Sequence, residues 1–141
     1  MNVTRESRSY LLDTSALLAF WNNEEGAEDV ERILRGTPSR GKVFYSFMTL
    51  MEANYRLLRH GGKELAEEFE RMVGNLPLER VNLTDPILHR AVEIKATKRL
   101  SVADSWIIAT AMEKGASLVH KDPEFEQVKD RLSLFQLPYK K

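Results

Sequence analysis

The chain contains no cysteine and has only 7 glycines and 5 prolines among its 141 residues. The absence of cysteine excludes disulfide frameworks, zinc–thiolate sites and cysteine nucleophiles, and it fits a cytoplasmic protein. The small number of glycines and prolines, together with 43% hydrophobic residues, excludes collagen-like and most disordered chains. Because this length is close to the commonest size of one domain, we expect residues 1–141 to form a single domain.

Long apolar runs and an excess of either charge are missing too. The uninterrupted apolar stretches are far shorter than the roughly 20 residues that span a bilayer, and the N-terminal MNVTRESRSY lacks the apolar segment of a secretory signal. We therefore expect a soluble, cytoplasmic protein. The 21 Lys and Arg residues balance 21 Asp and Glu residues, whereas general nucleic-acid coating proteins are normally basic. Any nucleic-acid role must then depend on local basic patches or bound cations.

Short apolar segments alternate with longer amphipathic segments along the chain. The short ones predict strands at residues 9–13, 42–46, 78–83, 117–120 and 132–137. The longer ones predict helices at residues 14–21, 22–35, 49–60, 63–73, 85–98 and 102–114. This order favours an α/β fold with a mainly parallel sheet. In such sheets, ligands bind at the carboxyl ends of the strands.

Four acidic residues lie close to those strand ends. Asp13 ends the first predicted strand, and Asp122 lies just past the fourth. Glu52 and Asp104 are expected in the first turns of the helices that follow the second strand and precede the fourth. Carboxylates crowded at one edge repel one another unless they are protonated or neutralised by cations. An all-oxygen ligand set favours Mg²⁺ or Mn²⁺, which typically serve phosphate chemistry.

Each of these acids also has a purely structural interpretation. Asp13, Asp104 and Asp122 occupy positions that suit a helix cap or the positive end of a helix dipole. Glu52 is spaced to form an ion pair with Arg56 one turn later, although its immediate neighbours are apolar. Any one acid is therefore weak evidence, and the prediction of a metal site depends on their joint placement.

Four stretches of the chain resemble the PIN domain, and most closely the VapC-type toxins of bacterial and archaeal toxin–antitoxin pairs. They are YLLDTSALLAF, FYSFMTLMEANYRLL, SVADSWIIATAMEKGASLV and HKDPEF, which fall in the family's order between residues 10 and 125. The resemblance implies a three-layer fold with helices on both sides of a central, mainly parallel sheet. It also implies a Mg²⁺- or Mn²⁺-dependent ribonuclease that forms a homodimer and is silenced by a small antitoxin.

The resemblance assigns roles to individual residues. The positions that match the family's catalytic and metal-binding acids are Asp13, Glu52, Asp104 and Asp122. Glu124 matches a further position that is often acidic and is implied as a metal ligand. The chain departs from the family pattern at His120, because Thr or Ser is common two residues before the last core acid.

Other polar and apolar residues have two interpretations each. Thr14 and Ser15 either cap the first helix or contact a phosphate or a water on the metal. Four basic residues near Asp104 either hold an RNA backbone or form a solvated helix face; they are Arg90, Lys95, Lys98 and Arg99. Trp21 and the face of Tyr55 and Leu58 predict a homodimer, if they are not core residues.

Two other functions stay open at the level of the sequence. A haloacid-dehalogenase-like phosphatase also has Asp after its first strand, but it requires a second Asp two residues later, where this chain has Ser15. A catalytically weak PIN-like RNA-binding or scaffold module is the other alternative. Such modules lose acids, whereas all four acidic positions are filled here. Metal-dependent cleavage of RNA distinguishes the enzyme from the scaffold.

Overall fold

The computed structural model describes residues 8–140. Its strands are β1 (Tyr10–Leu12), β2 (Val43–Ser46), β3 (Glu79–Val81), β4 (Ser117–His120) and β5 (Leu134–Gln136). They form one sheet in the order β3-β2-β1-β4-β5, and every pairing is parallel. The predicted α/β class with a mainly parallel sheet is therefore confirmed.

Helices connect consecutive strands up to β4, and a 3₁₀ helix at Pro123–Val128 lies between β4 and β5. The α-helices are α1 (Thr14–Trp21), α2 (Ala27–Arg35), α3 (Phe47–Gly61), α4 (Lys63–Gly74), α5 (Asp85–Thr97) and α6 (Val102–Lys114). Within residues 8–140, none of the helices has the length and apolar character needed to cross a membrane.

The two central strands separate two hydrophobic clusters, because successive side chains of a strand point to opposite faces. Leu11 and Leu118 pack with apolar residues of α5 and α6 on one face of the sheet. Leu12 and Val119 pack with residues of α1 to α4 on the other face. All four leucine and valine side chains are fully buried. The helices thus form a layer on each side of the sheet, as the resemblance implies.

The start of α2 differs from the sequence prediction. A helix over residues 22–35 is wrong for its first five positions, because α2 begins only at Ala27. Asn22 instead caps the end of α1, and Asn23 adopts a left-handed conformation with φ of 53°. Gly26, with φ of 102°, then turns the chain into α2. The left-handed residues make the predicted continuous helix impossible.

The start of α3 also differs. The helix begins at Phe47 rather than Thr49, because the Ser46 hydroxyl accepts a hydrogen bond from the Met48 N–H at 3.1 Å. Ser46 is thus both the last residue of β2 and the helix cap. Glu52 therefore lies in the second turn of α3, and its predicted place in the first turn is wrong.

The burial of α6 is close to the prediction. Ile107, Ile108 and Ala109 are fully buried, whereas Val102 in the first turn is exposed. Ser101 caps the helix as expected, since its hydroxyl accepts the Asp104 N–H at 3.0 Å. The first turn of α6 therefore lies near the surface, whereas the middle of the helix lies in the core.

Candidate active site

Asp13 follows the last residue of β1 at the carboxyl end of the strand, and the residue is 2% exposed. Its Oδ1 accepts the Ala16 N–H at 2.7 Å and so caps α1. The Ser15 hydroxyl donates to the same carboxyl group at 2.8 Å. The Asp13 backbone N–H donates to Val119 O at 3.0 Å, which fixes the residue against β4. The capping interpretation of Asp13 is confirmed, and its second carboxyl oxygen lies 2.9 Å from the Ser15 hydroxyl.

The surroundings of Asp13 disfavour its ionised form. Burial is the main cause that raises the pKa of Asp13 to about 8, and the hydrogen bonds from Ala16 and Ser15 offset part of this effect. The negative charges of Asp104 and Glu52 raise the pKa further. A buried acid with other acids around it is a place where a cation would be strongly favoured.

Asp104 lies in the first turn of α6, as predicted. Burial raises the pKa of Asp104 to about 6, with further contributions from the charges of Glu52, Asp122 and Glu124. The hydrogen bond with Ser101 acts in the opposite direction. The charge of Asp104 in turn raises the pKa of Asp13. Asp104 therefore interacts electrostatically with each of the other predicted acids.

The side chain of Glu52 reaches the same region from α3. It forms an ion pair with Arg56 at 3.2 Å, and only 13% of the Glu52 side chain is exposed. The pairing that the spacing predicted is thus present. It partly neutralises Glu52, yet the residue still raises the pKa values of Asp13 and Asp104.

The last two acids lie at the start of the 3₁₀ helix that follows β4. Asp122 is its cap, with Oδ1 accepting the Glu124 N–H at 2.9 Å, and Pro123 occupies the first helical position. The structural interpretation of Asp122 is therefore also correct. Glu124 is exposed, and its charge contributes to the raised pKa of Asp104.

All five predicted acids approach one edge of the sheet, at the carboxyl ends of its strands. The chain order reverses between the neighbouring strands β1 and β4, and such a reversal opens a crevice where α/β proteins bind ligands. Within residues 8–140, however, no three His, Cys, Asp or Glu side chains are arranged as a group that could hold a metal ion. The acids are electrostatic neighbours rather than a closed ligand cage.

Ser15 ties the two central strand ends together. Besides donating to Asp13, its hydroxyl oxygen accepts the Lys121 N–H at 3.0 Å. Thr14 is buried next to it, and its hydroxyl lies 3.4 Å from that of Thr49. Ser15 therefore positions the Asp13 carboxyl group, in addition to any contact with a ligand.

His120, the residue that departs from the family pattern, is fully buried at the end of β4. Its Nδ1 accepts the Asp122 N–H at 3.2 Å, and its ring packs edge-on against Phe125 with centroids 5.4 Å apart. Burial lowers the pKa of His120. The imidazole thus supplies the acceptor that orients the turn carrying Asp122.

Two residues near the site were missed by the sequence analysis. Lys121 is almost buried, and its Nζ contacts Glu24 at 3.3 Å and the Glu25 carbonyl oxygen at 2.7 Å. Gln127 makes three hydrogen bonds with the backbone of Arg99 and Glu124. The contacts of Lys121, and those of Gln127 with Arg99, join residues more than twenty positions apart. The contact of Gln127 with Glu124 lies in a 3₁₀ helix. A local sequence pattern therefore does not predict them.

The comparisons with known proteins agree with this architecture. The PIN domain family model matches residues 10–131. No curated protein is a significant sequence match to the chain. Among solved structures, VapBC2 from Rickettsia felis, bound to a DNA fragment from its promoter, matches with a TM-score of 0.75 and 17% identity; the match covers 92% of this chain and 99% of that one.

Two further solved structures are similar over most of their length. VapBC-1 from nontypeable Haemophilus influenzae has a TM-score of 0.70 and 20% identity, covering 91% of this chain and 97% of that one. VapC20 from Mycobacterium tuberculosis, a sarcin–ricin loop cleaving toxin, has a TM-score of 0.68 and 20% identity, covering 84% and 94%. At this identity the structural likeness shows the shared fold. With the family model spanning most of the chain, the protein belongs to the PIN domain family.

Proposed function

We propose that the protein is a divalent-metal-dependent endoribonuclease and the toxin of a toxin–antitoxin pair. The observation that carries the proposal is the buried carboxyl group of Asp13, whose pKa is raised to about 8 beside Asp104 and Glu52. Placing several acids at one ligand-binding edge is costly for a metal-free fold. Function is the usual reason for retaining such an arrangement.

The donor set fits a hard divalent ion in its chemistry. The ligands would be the carboxylates of Asp13, Glu52, Asp104 and Asp122, with Glu124 as a further oxygen donor. Mg²⁺ and Mn²⁺ prefer such ligands. When bound, the ion supplies positive charge that offsets the negative charge developing on a phosphoryl group during hydrolysis.

The protein's own residues prepare this site. Ser15 and the N-terminus of α1 hold the Asp13 carboxyl group from one side, so that its orientation is fixed. His120 holds the backbone of Asp122 on the opposite side of the crevice. Glu52 is restrained by Arg56. RNA is the proposed substrate because VapC20, which shares this fold, cleaves the sarcin–ricin loop.

Two protein partners belong to the same proposal. Several structural neighbours are toxin–antitoxin complexes, and we infer that a small antitoxin binds this chain as well. A second copy of the chain is the other partner. The exposed apolar residues of α3 form one stripe, consisting of Phe47, Met51, Tyr55 and Leu58. Trp21 is not part of it, because its ring packs edge-on against Phe69.

Cleavage of total RNA by the purified protein tests the proposed function. We expect cleavage with Mg²⁺ or Mn²⁺, and none with EDTA. Asp13→Asn should abolish cleavage while keeping the circular dichroism spectrum and monodispersity of the wild type. Asp130→Asn is the matched control, since Asp130 is an exposed acid outside the site. Cleavage that persists in EDTA, or equal activity of Asp13→Asn and wild type, would refute the proposal.

A further inference from the structure

The segment that leads into α6 carries two adjacent cations, Lys98 and Arg99. Lys98 ends α5, where its backbone N–H donates to Ile94 O at 2.9 Å. Leu100, which follows, is buried in the core. Ser101 then caps α6. The two cations are therefore held between two anchored points, only a few residues before Asp104.

The side-chain amide of Gln127 fixes the backbone of Arg99. The Arg99 N–H donates to Gln127 Oε1 at 2.9 Å, and Gln127 Nε2 donates back to Arg99 O at 3.1 Å. The same Nε2 donates to Glu124 O at 3.1 Å. One amide thus satisfies both backbone groups of Arg99 and attaches this segment to the 3₁₀ helix that carries Glu124.

These contacts place the two cations at the rim of the acidic site. Arg99 is one side-chain amide away from the Glu124 backbone. Asp104 lies in the first turn of α6, just after the cap residue Ser101, which is two residues beyond Arg99. The segment accordingly borders both acids without belonging to the acidic cluster.

The structure separates the four basic candidates of the sequence analysis. Arg90 forms an ion pair with Glu113 at 2.7 Å, near the C-terminal end of α6. Lys95 lies a helical turn further back on α5. In the described part of the chain, neither Lys98 nor Arg99 forms an ion pair. Their charges are therefore available to an anionic ligand, and Arg99 is exposed to solvent.

We propose that Lys98 and Arg99 form a binding subsite for the phosphodiester backbone beside the scissile position, and that Gln127 is the positioning residue for this subsite. The proposal rests on the proposed ribonuclease function. The formal net charge of the chain is zero, so it offers nucleic acid no general attraction. The acids of the site repel phosphates, and a strand crossing them needs cationic contacts at the flank. Two unpaired cations on a restrained backbone provide such contacts.

The salt dependence of RNA binding tests the subsite. Fluorescence anisotropy of a labelled oligouridylate is measured against salt concentration with the Asp13→Asn protein in Mg²⁺, which prevents cleavage during the titration. Adding Lys98→Ala and Arg99→Ala should weaken binding and reduce the slope of log K against log salt by about 1.4, because each phosphate contact to a single strand contributes about 0.7. An unchanged slope and affinity would overturn the proposal.

The matched control removes the same charges elsewhere. Arg40 and Lys63 are exposed and, within residues 8–140, form no ion pair. Arg40 lies before β2, and Lys63 is the first residue of α4. Arg40→Ala with Lys63→Ala should leave the slope close to that of the parent. An equal reduction in this control would assign the effect to net charge and overturn the subsite.

A double-mutant cycle tests the role of Gln127 without changing charge. Gln127→Met should weaken RNA binding in the parent but have no further effect once Lys98 and Arg99 are alanine. Equal losses in both backgrounds would refute the positioning role. Failure of the proposed function can be told apart from failure of the subsite, because RNA cleavage by the wild type is measured separately. Cleavage by the wild type together with an unchanged salt slope rejects only the subsite. RNA binding without cleavage by the wild type rejects only the ribonuclease function.

Discussion

At Asp13, one buried side chain both caps a helix and lies near two other acids. One carboxyl oxygen caps α1, which any Asp at a helix start could do. Burial and neighbouring acids, however, raise its pKa to about 8, which a structural cap does not require. Only one carboxyl oxygen accepts the backbone N–H at the start of α1, so the cap is compatible with the predicted role of Asp13 as a metal ligand.

The raised pKa gives a pH-dependent stability. The carboxyl group of unfolded Asp13 ionises near 3.8, whereas the folded one keeps its proton up to about 8. Between these values folding takes up a proton, so rising pH destabilises the folded state. The penalty is absent below the lower pKa and complete above the higher one. We expect the metal-free protein to lose on the order of 6 kcal/mol across this window, since each of about four pKa units is worth about 1.4 kcal/mol.

Urea unfolding in EDTA at a series of pH values measures this loss. Asp13→Asn should remove the part of the slope above about pH 6, below which Asp104 also takes up a proton on folding. The variant should consequently be more stable than the wild type near pH 8. Parallel profiles for the wild type and Asp13→Asn would contradict the assignment.

At the scale of elements, local patterns predicted the types of helix and strand well. The cap Ser101 and the helix it starts were both correct, because the cap and the apolar period lie within one segment. The early start of α3 was missed because Ser46 ends a strand and caps a helix at once. The late start of α2 was missed because the left-handed geometry of Asn23 and Gly26 outweighed the helical pattern.

The sequence predicted the edge of the sheet at which the candidate site lies, but it did not predict the contacts that support the site. An acid after a buried strand is visible in the sequence, so Asp13 and Asp122 could be found without a structure. The sheet order, which brings β1 next to β4, depends on long-range packing. The contacts of Gln127 and Lys121 with distant residues depend on that order, and so they could not be read from spacing.

Lys121 connects two loops beside the site. Its side chain is 5% exposed and joins the segment after β4 to the turn between α1 and α2 through Glu24 and the Glu25 carbonyl oxygen. Lys121→Met leaves these acceptors without their buried partner. We expect a loss of about 1–3 kcal/mol in the free energy of unfolding, because a buried charged hydrogen bond is being broken.

Lys140 provides the control for this variant. It approaches the same Glu24 at 3.8 Å, but 75% of its side chain is exposed. Exposed ion pairs contribute little, so Lys140→Met should change the free energy of unfolding by less than about 0.5 kcal/mol. Urea titrations of both variants decide the matter. Equal effects of the two substitutions would show that the buried contact of Lys121 has no special weight.

At the scale of the whole molecule, the exposed stripe of α3 predicts self-association. Met51 and Leu58 are 54% and 53% exposed, although both are large and apolar. Clustered apolar surface of this kind typically marks an interface. We expect light scattering at micromolar concentration to give the mass of a dimer. Met51→Glu with Leu58→Glu should give a monomer with an unchanged circular dichroism spectrum.

His60→Glu is the control for the dimer, because His60 is an exposed polar residue on the same helix outside the stripe. This variant should keep the dimer mass. A monomeric wild type at micromolar concentration would reject the prediction. A dimer that survives both glutamates would instead place the interface on another face.

A divalent ion should stabilise the folded molecule as a whole, because it binds the native acids and not the separated acids of the unfolded chain. The gain is RT ln(1 + [L]/Kd), about 2.7 kcal/mol at a hundredfold excess over Kd. For a domain of this size, the melting temperature then rises by roughly 5–10 °C. Mn²⁺ should act at least as strongly as Mg²⁺, since Mg²⁺ dehydrates reluctantly and demands octahedral geometry.

Asp104→Asn tests whether the acids form one ion site or act as independent helix caps. Asp104 lies in the first turn of α6, and Glu64 lies in the first turn of α4. Both acids interact favourably with a helix dipole, but only Asp104 is electrostatically connected to the other predicted ligands. Asp104→Asn should therefore reduce the Mn²⁺-induced rise in melting temperature, while Glu64→Gln should leave it intact. If Mn²⁺ leaves the wild-type melting temperature unmoved, the acids do not form one ion site.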